Sequence, residues 1–122
     1  MKKIIFKTSR LNFLGELNNC ETSQKIYANL PFTSKICLWQ EEIYFKTPLK
    51  VKAKDLTLDV EVGDIAYWPE GSCLCIFLGK TPLSKDDKPV PASEVEILGK
   101  VFAQKQILKD IKSGEKITLL QG

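Results

Sequence analysis

Trp39, Tyr44, Phe45, Tyr67, Trp68 and Phe77 form the densest set of chemistry-bearing side chains in the sequence. Tryptophan and tyrosine bring large apolar faces with a polar tip, which suits concave binding sites. Tyr44 and Phe45 are adjacent, as are Tyr67 and Trp68. Adjacent residues on a strand point to opposite faces, so only one of each pair can line a given pocket. Trp39, Tyr44, Trp68 and Phe77 are the candidates for an open ligand-binding patch. The plain alternative is that these rings are core. Four fully buried rings would end the binding reading.

Among ionisable groups, Glu41 and Glu42 follow closely on Trp39. One of them must share the tryptophan's side, where a carboxylate can accept a ligand hydrogen bond or act as a base. Glu42 is the candidate, with a solvated turn as the alternative. Lys80 is placed to meet an anion at the end of an apolar strand. Gly79-Lys80-Thr81 has the look of a phosphate-loop end. However, position 74 is Leu74 rather than the glycine that motif needs, and no helix follows. Asp64 fits a turn cap better than a site.

Other chemistry is excluded by residue type. The chain has no histidine, so it has no Ser–His–Asp triad, no Cys–His dyad and no imidazole metal site. The four cysteines, Cys20, Cys37, Cys73 and Cys75, include no Cys-x-x-Cys pair, so neither metal nor cofactor is expected. Buried small hydrophobes are the expected role for Cys73 and Cys75. A Cys20–Cys37 disulfide is the alternative for the other two. Cys75 as a nucleophile lacks the cationic neighbour that would lower its pKa. No catalytic residue can be named.

Charge narrows the partners. The net charge is +3, and Arg10 is the only arginine among 18 basic residues. Lysine is a hydrated point charge, whereas arginine reads phosphates and base edges bidentately. No specific nucleic-acid partner is expected. No segment approaches a membrane span. The basic start Met1-Lys-Lys-Ile-Ile-Phe-Lys7 has an apolar stretch of three residues, too short for a secretion signal. The expected location is the cytoplasm.

These residues need a scaffold. The chain of 122 residues is one domain, 1–122, by length. Period-2 patterns dominate. Lys2–Lys7 and Leu11–Leu17 form a hairpin; Ser34–Trp39 and Glu42–Lys46 form a second. Leu56, Leu58, Val60 and Val62 alternate with polar residues and predict a half-buried strand. Ile65–Trp68 continues extended after a kink at Gly63-Asp64. Ser72–Leu78 is almost entirely apolar, so both its faces are expected to be covered. Leu83–Pro91 is an exposed, mobile loop. Val95–Val101 is a strand with a bulge at Gly99, and Ile117–Leu120 the last strand. A helix capped by Asn19 or Thr22 carries Ile26, Tyr27 and Leu30 and stops before Pro31. A second, with Ile107, Leu108 and Ile111, stops at Ser113-Gly114. The reading is mainly β: an eight-stranded barrel with two short capping helices.

The middle of the chain carries a family signal. It lies in Leu30-Pro-Phe-Thr-Ser34, Trp39-Gln-Glu-Glu-Ile-Tyr-Phe45, Val62-Gly-Asp-Ile-Ala-Tyr-Trp-Pro-Glu-Gly71 and Leu74-Cys-Ile-Phe-Leu-Gly-Lys-Thr-Pro82. It continues through Ala92-Ser93 to Ile97-Leu-Gly-Lys100. Together these segments resemble the small prokaryotic cyclophilin-like proteins of the Thermotoga type. The resemblance implies a cyclophilin-like β-barrel with two capping helices, and function in that family is uncharacterised. Two positions depart from its pattern: Cys37 and Glu96 stand where asparagine is frequent.

The resemblance raises peptidyl-prolyl isomerase activity. Authentic cyclophilins use a groove arginine beside phenylalanine, methionine and leucine, with histidine and tryptophan nearby. Here histidine is absent, the one methionine is Met1, and Arg10 falls in the first predicted turn. Isomerisation must lower a barrier of about 18–20 kcal/mol with placed donors, so activity should be weak or absent. The expected function is a module binding a peptide or small molecule through Trp39, Glu42, Tyr44, Trp68, Phe77 and Lys80. The alternatives are a degenerate isomerase or a subunit that works only with a protein partner.

Overall fold

Nine strands and two short helices make up the computed structural model, which describes all residues, 1–122. The strands are β1 (Lys2–Lys7), β2 (Asn12–Leu17), β3 (Phe32–Lys35), β4 (Cys37–Trp39) and β5 (Glu42–Lys46). They continue with β6 (Asp64–Trp68), β7 (Cys73–Phe77), β8 (Glu96–Val101) and β9 (Lys116–Gln121). Helix α1 spans Glu21–Ala28, and a 3-10 helix spans Lys105–Asp110. All ladders are antiparallel, in the order β3-β9-β1-β2-β8-β6-β7-β5-β4. The two edge strands, β3 and β4, are neighbours in the chain, joined by Ile36. The sheet therefore curls into a nearly closed barrel and leaves little free edge. Phe32 and Phe45 bring their ring centroids to 6.5 Å near the seam.

Strand alternation sorts the side chains. Ile4, Phe6, Leu17, Ile43, Phe45, Ile65, Tyr67, Leu74, Ile76 and Leu98 enter the main core. Phe6 and Phe13 are directly paired across β1 and β2, with rings stacked at 4.8 Å. Helix α1 adds Ile26, and the 3-10 helix lays Ile107 and Leu108 against the same core. On the outer face of β5, β6, β7 and β8 a second, smaller core gathers Val60, Ala66, Cys75, Phe77 and Val95. Strand β7 is thus buried on both faces, as its apolar run predicts. No helix is long and apolar enough to cross a membrane.

The ninth strand comes from splitting one expected strand. Ser34–Trp39 breaks at the buried Ile36, whose N–H donates to the Glu115 carbonyl while its own carbonyl accepts from Gly114 N–H. There the chain leaves β9 and joins β5. The expected strand over Leu56–Val62 is not formed. It makes one bridge, Thr57 to Val95, and leaves Leu56, Leu58 and Val62 exposed. Only Val60 plugs the second core. Alternation alone does not make a strand, because the paired edges beside β6 are already taken by β7 and β8.

The cap of α1 also differs. Neither Asn19 nor Thr22 caps it; Cys20 does, its Sγ accepting from Ser23 N–H at 3.5 Å. Thr22 instead donates its hydroxyl to Glu96 Oε1 at 2.6 Å. The helix stops before Pro31, as expected. The second helix is a 3-10 helix that ends before Ile111. The bulge falls at Leu98: Ile65 pairs with Gly99 and Ala66 with Ile97, leaving Leu98 as the extra residue. Gly99 has a separate reason to be glycine. A Cβ there would lie 1.8 Å from the Glu16 carbonyl oxygen, so β2 and β8 could not approach.

Candidate functional site

Cross-strand pairing assembles the site on the outer face of the barrel. Directly opposed residues of an antiparallel pair point to the same side. Trp39 on β4 opposes Glu42 on β5, and Glu42 opposes Phe77 on β7. One step along, Tyr44 opposes Cys75, which opposes Ala66 on β6. These two rows form a floor, with Trp68 at one side. Pro91, Ala92 and Val95 form the facing wall. The open cavity is about 270 Å³. That is just below the range of roughly 300–1,000 Å³ for drug-sized ligands, so it suits one side chain or a small head group.

Alternation separates the adjacent aromatics as expected. Phe45 and Tyr67 go to the barrel core, while Tyr44 and Trp68 line the cavity. Phe77 is fully buried beneath it, and Trp39, Tyr44 and Trp68 are half-buried and open to it. Trp68 is fixed at its polar tip, where Nε1–H donates to Ser93 Oγ at 2.6 Å. The Ser93 hydroxyl in turn donates to Glu70 Oε2. This relay ties the Pro91–Val95 wall to the β6–β7 turn. Gly71 lies flat under the Trp68 ring, since a Cβ there would come within 2.4 Å of it.

The electrostatics centre on Glu42, which is 4% exposed. Its Oε1 is buried without a hydrogen-bond partner. Burial pushes its carboxyl up to about 7, a rise that the adjacent Cys75 thiol partly offsets. A carboxyl in this state exchanges its proton near neutrality. Burial, and then the Glu42 charge, push the Cys75 thiol well above the ordinary cysteine range. Cys75 is therefore a thiol at neutral pH and no nucleophile. Burial raises the Tyr44 phenol, and the neighbouring Cys37 adds to it. No lysine or arginine lines the cavity.

Five of the six candidate residues, Trp39, Glu42, Tyr44, Trp68 and Phe77, meet in this one cavity. Lys80 does not. It lies in a separate depression with Glu41, where its ammonium pairs with Asp87 at 3.5 Å. Its strand-end position carries it past the site rather than into it. Glu41 is a brace: its Oε1 accepts from Lys80 N–H at 2.9 Å. Asp64 caps its turn, Oδ2 accepting from Glu61 N–H at 2.8 Å, and also pairs with Lys100. Arg10 is exposed in the β1–β2 turn and is not part of the cavity.

The wall was hidden from sequence reasoning. Leu83–Pro91 reads as an exposed loop, yet Pro89 and Pro91 are buried. The segment is pinned by Thr81 Oγ1–H donating to the Val90 carbonyl at 2.6 Å. The two prolines were the available signal, as rigid apolar residues in a polar stretch. Cys37 lines a neighbouring depression with Cys73. Glu96 is bonded to Thr22 and to Lys54 N–H. These two unusual positions therefore share no pocket. All four cysteines are free thiols. No cluster of three or more histidine, cysteine, aspartate or glutamate side chains is placed to hold a metal.

Comparison with known proteins places this geometry in context. Residues 2–120 match the family model described as Cyclophilin-like. The solution structure of a hypothetical protein from Archaeoglobus fulgidus is similar, with a TM-score of 0.83 and 31% sequence identity. The match covers 99% of this chain and 95% of the archaeal one. No curated protein matches.

Proposed function

The chain belongs to the cyclophilin-like family, and on that premise we propose that it is a binding module. Its outer-face cavity takes a side chain of a peptide or the head group of a small molecule. The observation that carries this reading is Glu42: a buried carboxyl with a free Oε1, set among Trp39, Tyr44, Trp68 and Phe77. A buried polar atom without a partner costs roughly 1–3 kcal/mol. A ligand that supplies the partner recovers that cost, while the rings supply apolar contact. Four free thiols suit a reducing compartment, which supports a cytoplasmic location for this action.

The same carboxyl supports a second reading, as a general acid or base, because it titrates near neutrality. It stands without a second catalytic group, since the neighbouring Cys75 remains a thiol. Binding therefore accounts for more of the site than catalysis does. Titration of the isotope-labelled protein with a library of short peptides and metabolites, read by the indole N–H signals of Trp39 and Trp68, tests the module. Saturable shifts of both indoles are expected with at least one ligand class. Shifts confined to other faces of the barrel would refute it. Conversion of a ligand during the titration would favour the enzyme.

A further inference from the structure

The cavity has a definite chemical preference. Seven of its nine lining residues are hydrophobic, and Glu42 is its one carboxyl. Aromatic faces are electron-rich and attract cations. The carboxylate attracts them too. An anion meets both as repulsion. A bare ammonium carries three N–H donors and a tight hydration shell, which this cavity repays with few acceptors. An alkylated ammonium presents methyl groups to the rings and keeps its charge.

We propose that the cavity recognises an alkylated ammonium group, held against the rings of Trp39, Tyr44 and Trp68 and neutralised by Glu42. This deepens the binding-module reading and rests on it. The group could be carried by a free small molecule or by a methylated lysine of a peptide. Both fit the opening, because the cavity of about 270 Å³ admits a head group and leaves its tether outside.

The proposal fixes the sign of a pH effect. A cation binds the ionised carboxylate, so affinity rises with pH through the titration of Glu42. A neutral hydrogen-bond acceptor would bind the protonated form, and its affinity would fall. The groups facing Glu42 are Tyr44 on its own strand and Cys75 and Cys73 on β7. Burial raises all three, so they stay neutral through that range. Trp39 faces it from β4, and Pro91, Ala92 and Val95 from the wall, none of them ionisable.

Choline and its uncharged carbon isostere 3,3-dimethylbutan-1-ol are the probes, titrated into the whole protein and read by the two indole signals. Choline should bind about tenfold more tightly than the isostere. Its affinity should rise about tenfold from about pH 6 to about pH 8. Glu42→Gln should remove the slope and reduce the preference to the part that the rings supply. Equal binding of the two probes, or binding of the isostere alone, would overturn the ammonium assignment and leave the binding cavity standing. Silence of both indoles with both probes would overturn the ammonium assignment, and silence across the peptide and metabolite library as well would overturn the binding module. A trimethyl-lysine peptide beside its unmethylated form then separates the sources. Preference for the peptide over choline assigns a protein ligand, and the reverse a small molecule.

Discussion

Trp39 and Glu42 stand directly opposite one another across the β4–β5 hairpin, and both face the outside of the barrel. The hairpin turns through Gln40 and Glu41, with Gln40 at a φ of 57°. This short turn decides which of two adjacent carboxylates joins the tryptophan. Glu42 does, and Glu41 goes to the neighbouring depression to brace Lys80. The position of the turn thus separates a brace from a site, because a shift of one residue would exchange every facing.

Glu42 gives stability an unusual pH dependence. Its carboxyl is raised from 4.5 to about 7 in the folded protein. Between those values the native state holds the proton and the unfolded chain releases it. Stability from this group is therefore full below about pH 4.5 and is lost as pH rises through about 7. The shift corresponds to about 3 kcal/mol. Glu42→Gln cannot titrate. Its unfolding free energy minus that of the parent should grow by about 3 kcal/mol between about pH 4 and about pH 8. Urea melts across that range measure it, and a constant difference would show that Glu42 is solvated.

Prolyl isomerisation should be weak. The cavity holds aromatic rings and a carboxyl but no arginine, and Arg10 projects from the β1–β2 turn. The cationic donor that would hold a twisting prolyl amide is missing there. Protease-coupled or NMR exchange assays on Xaa-Pro peptides should give rates near the uncatalysed value, and Arg10→Ala should leave them unchanged. Strong acceleration would show that the cavity itself stabilises the twisted amide.

Much of this site was legible in the sequence. Period-2 alternation told Tyr44 from Phe45 and Trp68 from Tyr67, because strand geometry leaves no other arrangement. The adjacency of Glu42 to the Trp39 turn was visible for the same reason. Lys80 was misplaced since position along the chain does not say which side of a strand end a long side chain leaves from. The wall at Pro91–Val95 left only its prolines as a signal, because it is brought in by contacts distant in sequence, such as Trp68 with Ser93. Leu56–Val62 shows the opposite error: its alternation was clear, but a strand also needs a free edge to pair with.

The cysteines should react in two classes. Cys20 and Cys37 are half-buried, whereas Cys73 and Cys75 are 7% and 3% exposed. Burial raises the pKa of both buried thiols, and Cys75 also feels Glu42. Alkylation requires the thiolate. Under native conditions iodoacetamide should modify Cys20 and Cys37 first, leaving Cys73 and Cys75 protected until the protein is denatured. Peptide mapping by mass spectrometry reads the order. Native labelling of Cys75 as fast as Cys37 would mean that the cavity floor opens to solvent.

The Trp68 ring should be the most sensitive element of the cavity to a small change beneath it. A Cβ at Gly71 would lie 2.4 and 2.6 Å from two ring carbons, far inside contact distance. Gly71→Ala must therefore push the indole off the turn, at a cost of about 1–3 kcal/mol for overpacking. The displaced Nε1 should lose Ser93 Oγ, and with it the tie between the wall and the β6–β7 turn. Ser93→Ala removes only that tie, at a cost of about 1 kcal/mol, and leaves the ring seated. Both variants should weaken the indole N–H signature of Trp68. Only Gly71→Ala should also shift the ring's packing against the second core, seen as changed side-chain NOEs. If Gly71→Ala melts like the parent and keeps those contacts, the ring has room that the structure denies, and the cavity is shaped by the wall alone.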